Sequence, residues 1–296
     1  MNIKYIEDTI GNTPIVRLKH IPINPNVEIY CKLEGNNPGG SVKDRAAYGM
    51  IKSALDRGDI KQGDNLVEAT SGNTGIALAM MAKVLGVTMT LVMPDNATRE
   101  RVLSMKAYGA EVILTPAKQT IEYARQLAAE MEAGGDYKQL NQFANPDNYR
   151  MHEKTTGPEI WRDTDGKVTH FVSSMGTTGT IMGVSRYLKS KNPAIQIIGA
   201  QPTDGSEIPG IRRWSPEYLP KIYEPNRVDM IMDVSRAQAT NMTRRLAKEE
   251  GILAGMSSGG ALSIALQLAE NLSSGLIVCI ACDRGDRYLS SDLFED

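Results

Sequence analysis

From residue 29 to residue 140 the chain alternates short apolar stretches with segments of helical periodicity, joined by turns of a few residues. Ile29, Cys31 and Leu33 alternate as a strand does. Val42, Ala46, Ala47, Met50, Ile51, Ala54 and Leu55 then recur at helical spacing until Arg57 and the helix-stopping Gly58. The same unit returns as a strand at 66–69, a helix at 76–85 closed by Gly86, a strand at 88–93 and a helix near 97–108. It continues with a strand at 111–114, a helix near 118–133 and a strand around Leu140. Such alternation predicts a mostly parallel sheet with helices on both faces, and it places functional loops at the C-terminal ends of the strands.

Residues 141–148 are polar, carry Pro146 and read as a break. Beyond them the pattern resumes with a helix containing Pro158, a strand at 168–172, a Gly/Ser/Thr-rich loop at 173–180 and a helix ending near Lys189. A strand at 195–200 leads into a long proline-punctuated stretch, 202–227, containing Ile211-Arg212-Arg213-Trp214. A strand at 228–234, a helix capped by Ser235 with Gln238, a loop at 255–260, a helix to Glu270 and a strand from Leu276 complete the chain. The expectation is an α/β protein of two lobes, each a mostly parallel sheet flanked by helices, with a seam near residue 145. The 296 residues, 41% hydrophobic and 23% charged, suffice for two such cores.

Charge and composition exclude several partners. A net charge of -2 and 5% aromatic residues supply neither a basic face nor stacking platforms for nucleic acid. No segment approaches the roughly 18 apolar residues that span a bilayer, and the mixed polar and charged start MNIKYIEDTIGNTP lacks a secretory apolar core. The expected location is the cytoplasm, without membrane or nucleic-acid partners. Cys31, Cys279 and Cys282 are too few for a disulfide framework, and His20, His152 and His170 have no metal-ligand spacing, so no metal is expected. Cys279-x-x-Cys282 sits in an apolar run, and residues three apart on a strand point to opposite faces, so packing is the expected role.

Four loops stand at strand ends. Gly35-Asn36-Asn37-Pro38-Gly39-Gly40 cannot be regular structure, and Ser41, with Asp44 three residues on, reads as the N-cap of the next helix. Lys43 then falls in the first turn, where the helix dipole disfavours a cation by about 0.3–1 kcal/mol, and chemistry becomes a candidate reason for it. The loops 70–75 and 176–180 combine glycines, hydroxyls and a following helix, the composition of anion cradles; Ser257-Ser258-Gly259-Gly260 is the fourth loop. Gly176-x-x-Gly179 matches neither a dinucleotide fingerprint nor a Walker lysine loop. An isolated lysine, two anion sites and no metal suit a phosphorylated aldehyde cofactor held as an imine, serving as electron sink for an amino acid. A nicotinamide-dependent oxidoreductase on a doubly wound fold is the alternative of a different class; it predicts a colourless protein that binds dinucleotide.

Longer motifs carry a resemblance. Ile10-Gly11-Asn12-Thr13-Pro14, Lys32-Leu33-Glu34-Gly35-Asn36-Asn37-Pro38, Ser41-Val42-Lys43-Asp44-Arg45, Glu68-Ala69-Thr70-Ser71-Gly72-Asn73-Thr74-Gly75 and Gly176-Thr177-Thr178-Gly179-Thr180 resemble the cysteine synthase family of fold-type II pyridoxal-phosphate enzymes, whose fold is tryptophan synthase β-like. Met93-Pro94-Asp95-Asn96, Pro209-Gly210-Ile211-Arg212-Arg213-Trp214 and Cys282-Asp283-Arg284-Gly285-Asp286-Arg287-Tyr288 resemble its B-type branch. Gly39-Gly40 and the segment 149–154 depart from the family's usual pattern.

The resemblance implies a cofactor, pyridoxal 5'-phosphate, held by Lys43, which also shuttles the α-proton. It implies Asn73 on the ring oxygen, Gly176, Thr177, Thr178, Gly179 and Thr180 on the phosphate, and Ser257 facing the pyridine nitrogen. Thr70, Ser71, Gly72 and Thr74 would receive the substrate carboxylate, Gln142 would lie close to the substrate, and Arg212 and Cys282 would lie near a sulfur-donor anion. The implied lobes are 38–145, mobile and binding the carboxylate, and 1–37 with 146–296, binding phosphate and pyridine. The implied reaction is β-replacement: O-acetyl-L-serine loses acetate to give an aminoacrylate, and sulfide, or thiosulfate in the B-type branch, adds to give L-cysteine or S-sulfocysteine. A homodimer is also implied. Serine/threonine dehydration and cystathionine formation remain alternatives with the same cofactor.

Overall fold

The structure, a computed structural model, describes residues 5–70 and 72–295. In chain order its elements are β1 (Ile15–Arg17), β2 (Val27–Leu33), α1 (Lys43–Arg57), β3 (Asn65–Ala69), α2 (Asn73–Leu85), β4 (Thr88–Pro94), α3 (Arg99–Ala107), β5 (Glu111–Thr115), α4 (Thr120–Ala133) and β6 (Lys138–Gln139). There follow α5 (Pro146–Lys154), α6 (Thr156–Asp163), β7 (His170–Ser174), α7 (Gly179–Lys191), β8 (Gln196–Pro202), β9 (Met230–Val234), α8 (Arg236–Glu250), α9 (Met256–Asn271) and β10 (Gly275–Ala281). Two compact units result: Lys43–Asn148 with the chain before Gly11, and Gly11–Val42 with the chain from Tyr149 on.

The first unit holds a four-stranded parallel sheet in the order β5-β4-β3-β6. Alternation along the strands divides its core. Leu66, Leu91 and Met93 pack with Ala47, Met50 and Met81 of α1 and α2, while Val67, Ala69 and Val92 pack with Ala124 and Ala128 of α4. The second unit holds a six-stranded sheet, β1-β2-β10-β7-β8-β9, parallel except for the β1–β2 pair. On β10, Ile277, Cys279 and Ala281 belong to the cluster covered by α8 and α9, whereas Leu276, Val278 and Ile280 belong to the one containing α6 and α7 side chains. A strand buried on both faces in this way reads as the continuous apolar run seen in the sequence, and each fully buried Ile or Val there contributes roughly 1.5–3 kcal/mol.

The α/β class with two helix-flanked sheets is as expected, and three elements differ from expectation. The stretch taken for a break contains α5, whose polar sequence hides a start signal: Asn145 Oδ1 accepts from Asp147 N–H at 2.9 Å, with Pro146 at the first helical position. The predicted loop at 255–260 is instead the first turn of α9. Its glycines are there for packing, because a Cβ on Gly259 would run into Thr243 Oγ1 and the Ala239 carbonyl of α8. Ser41 is not at the helix boundary either, since α1 starts at Lys43. The preceding backbone is pinned instead by the chain after β10: Val42 N–H donates to Cys282 O at 2.8 Å, Arg284 N–H to Gly40 O at 3.2 Å, and Arg287 to Gly39 O.

Candidate active site

In the first unit, β3 delivers the chain to Thr70, and α2 opens at Asn73 with Gly72 before it. The cap position, Gly72, has no side chain with which to cap that helix. Its first-turn N–H groups therefore form a donor cluster at the positive end of the dipole, suited to a carboxylate. Gly75 has to be glycine, since a Cβ would stand 2.7 Å from Met105 Cε and 2.8 Å from Thr70 Cγ2. Thr70 and Thr74 are buried, Gly72 and Asn73 half-buried, and Ser71 lies outside the described residues. Thr74 donates to Gln142 Oε1 at 3.0 Å, which brings the predicted Gln142 to the predicted threonine across 68 positions of sequence. Gln142 is itself tied down, its carbonyl accepting from Asn148 Nδ2 at 2.8 Å. Lys43, half-buried, is the first residue of α1 in the same unit.

In the second unit, β7 runs into Gly176, and α7 opens at Gly179 after Thr178 in the left-handed region, φ 69°. A β-branched residue there is strained, which is a reason to look for function. The Thr178 side chain does not cap the helix, and the Gly179 N–H donates to Thr177 Oγ1 at 3.4 Å. The Thr178 hydroxyl is buried and makes no hydrogen bond, a cost of about 1–3 kcal/mol unless a ligand relieves it. Gly176 is held from outside, its carbonyl accepting from Trp214 Nε1 at 2.8 Å, and a Cβ on it would stand 2.8 Å from Gly210 O. Thr180 Oγ1 lies 3.4 Å from His152 Nε2, whose Nδ1 lies 2.8 Å from Thr156 Oγ1. His152 had no sequence signal beyond its being one of three histidines, since α5 itself read as a break.

Ser257 lies buried in the first turn of α9, with its carbonyl accepting from Ser174 Oγ at 2.7 Å. The Gly210 turn that abuts Gly176 also faces Ser257, at 3.4 Å from a Cβ built on Gly210, so the structure gathers the glycine loop and this serine around one turn. The α9 entrance is fixed by Asp283, buried, which accepts from Gly255 N–H at 3.1 Å and from Tyr288 Oη at 2.5 Å. Arg212 is half-buried, its N–H donating to Met175 O at 2.9 Å and its guanidinium 5.5 Å from the Trp214 ring centroid. Arg213 turns to Pro202 O, Asp204 and Asp233.

Cys282, partly buried, donates its N–H to Ser258 Oγ at 2.9 Å, while Cys279 packs on the other side of β10 with its sulfur 3.2 Å from Cys31 Sγ. The two cysteines of the C-x-x-C pair thus face apart. Its hydrogen bond to Cys279 and its burial hold the Cys31 thiol well above the usual range, an inert state.

Residues 6–283 match the model of the family described as pyridoxal-phosphate dependent enzyme, and the chain belongs to that family. It is 57% identical to cysteine synthase B of Pseudomonas aeruginosa over 100% of this chain and 99% of that protein. It is 56% identical to cysteine synthase B of Salmonella typhimurium, over 98% of this chain and 95% of that protein. Among solved structures, a cysteine synthase from Entamoeba histolytica superposes with a TM-score of 0.94 at 39% identity, covering 100% of this chain and 92% of that one. The residues present fit such a cofactor: a helix entrance with an unpaired buried hydroxyl at Thr178 suits a phosphate, and the half-buried Lys43 supplies an amine of the kind that holds an aldehyde.

Proposed function

We propose that the chain makes L-cysteine from O-acetyl-L-serine and sulfide by replacing the substituent on the substrate's β-carbon. The observation that carries the reading is the entrance of α7, where strained backbone, the positive end of the helix dipole and the orphaned Thr178 hydroxyl converge. The choice of product follows the cysteine synthases to which the chain is similar along its whole length.

Gly176, Thr177, Thr178, Gly179 and Thr180 would hold the cofactor phosphate, Asn73 the ring oxygen, Ser257 the pyridine nitrogen and Lys43 the aldehyde carbon. When bound, the cofactor supplies an electron sink for the pair released at the substrate's α-carbon. Thr70, Ser71, Gly72 and Thr74 bind the substrate carboxylate, with the α2 dipole adding to their hydrogen bonds. Gln142 holds the Thr74 hydroxyl in place. Lys43 Nζ takes the α-proton; acetate leaves the β-carbon, the sulfur nucleophile takes its position, and Lys43 returns the proton to the α-carbon. At the pyridine nitrogen a neutral hydroxyl suits this elimination, which needs a weaker sink than a carboxylate partner would create.

Thiosulfate is proposed as a second donor, bound by Arg212, whose half-buried guanidinium is anchored on Trp214. Cys282 lines the same anion site in this proposal. A homodimer in the cytoplasm completes it; among the described residues no helix is long and apolar enough to cross a membrane. The test is turnover of O-acetylserine with each donor. Cysteine formed from sulfide is the expected result, and turnover of serine or threonine in its place sinks the reading. Arg212→Ala should raise the KM for thiosulfate about tenfold or more and leave sulfide unaffected; unchanged thiosulfate kinetics remove Arg212 from the site.

A further inference from the structure

The unit that carries Lys43 also carries a buried acid that no step above uses. Glu68, 2% exposed, lies on β3 two residues before Thr70. It shares a strand face with Leu66, in a cluster whose α1 and α2 members are apolar, and its β4 neighbour is Leu91. Its Oε2 accepts from Asn141 N–H at 2.9 Å, and the Gln142 N–H also bonds to the carboxyl. Asn141 is held at φ 54°, a left-handed turn that those bonds support. The next link is the one from Gln142 Oε1 to the Thr74 hydroxyl.

We propose that Glu68 is a positioning residue for the substrate carboxylate, fixing the turn at Asn141 and Gln142 that in turn fixes Thr74. The inference rests on the function proposed above. A neutral Glu68 suits this task, because it accepts the two N–H groups without placing a buried negative charge two residues from a site for an anion. The charged side chains acting on it are Arg125 and Glu132, both on α4 and opposite in effect. Burial dominates and pushes the Glu68 carboxyl up to about 8. Ionisation above that point draws water or displaces the turn, and carboxylate binding weakens.

The experiment measures the dissociation constant of L-alanine, which keeps the amine and carboxylate but has no β leaving group, by calorimetry on cofactor-loaded wild type, Glu68→Gln and Glu68→Leu. Between about pH 7 and pH 9.5 wild type should bind about tenfold more weakly, beyond the change due to the ligand amine. Glu68→Gln, which accepts the same bonds and does not ionise, should lose that extra dependence and match wild type near pH 7. Glu68→Leu should bind about tenfold more weakly at every pH, with the KM for O-acetylserine raised and kcat within about twofold. A Glu68→Gln enzyme that keeps the wild-type alkaline loss overturns the proposal, as does a Glu68→Leu enzyme that binds like wild type. Should Glu68→Leu fail to fold, the Glu68→Gln pH profile decides alone. Wild type that forms no cysteine overturns the proposed function; wild type that forms it while Glu68→Gln retains the alkaline loss overturns only this inference.

Discussion

Lys43 and Thr178 each occupy a position that costs stability. A lysine opening α1 opposes the helix dipole, and a threonine at φ 69° with a buried, unbonded hydroxyl is strained and unsatisfied at once. Both costs are explained if a phosphorylated aldehyde relieves them. Lys43→Ala protein, purified with pyridoxal phosphate, should therefore lack the visible absorption band of wild type and make no cysteine; a band that survives the substitution removes Lys43 from its role. Thr178→Val keeps the shape and deletes the hydroxyl. Losing one hydrogen bond to a charged phosphate costs about 1.5–3 kcal/mol, so cofactor affinity should fall roughly 10- to 150-fold in a fluorescence titration. Lys43 was legible in the sequence because its place in a helix start is a local property. The Thr178 strain was not, since any residue in a Gly/Thr loop reads alike until the backbone is known. Glu68 stood between those cases: an acid inside the apolar stretch Leu66 to Ala69 was visible, but its partners Asn141 and Gln142 lie more than 70 positions away.

Among the elements, helices and strands with apolar periodicity were readable, and those set by distant contacts were not. The β1 strand is three residues long and exists through its antiparallel pairing with β2, which no local pattern announces. The start of α9 was hidden by Gly259 and Gly260, helix-weakening residues in isolation that here let α8 approach. That closeness can be tested. Gly259→Ala raises helix propensity by about 1 kcal/mol yet puts a methyl against Thr243 Oγ1 and the Ala239 carbonyl. Overpacking of that methyl against α8 should win, giving a net destabilisation of about 1–3 kcal/mol in urea denaturation. A stabilised variant would mean that the α8–α9 contact is looser than described. Because Ser257 sits in that same first turn, the variant should also alter the cofactor's absorption spectrum.

At the scale of the whole molecule, chemistry is divided between the units: one offers Lys43 and the α2 entrance, the other the α7 and α9 entrances with the clamp after β10. The α2 and α7 entrances each follow a parallel strand, β3 and β7, whereas α9 follows α8; the parallel topology is what the strand–helix alternation in the sequence already implied. Burial inside such a sheet also sets a global pH response. Glu68 keeps its proton to about 8 in the folded chain, against 4.5 for the exposed group. Between those values the unfolded chain releases a proton that the folded chain retains, so Glu68's contribution to stability is full below about 4.5 and is lost as pH rises to about 8. The slope approaches about 1.4 kcal/mol per pH unit inside that window. Wild type should accordingly lose thermal stability between about pH 6 and pH 8 more steeply than Glu68→Gln, whose curve lacks this contribution. Parallel curves for the two proteins would show that Glu68 is ionised in the fold, and would place the balance of burial against its two backbone donors on the side of the donors.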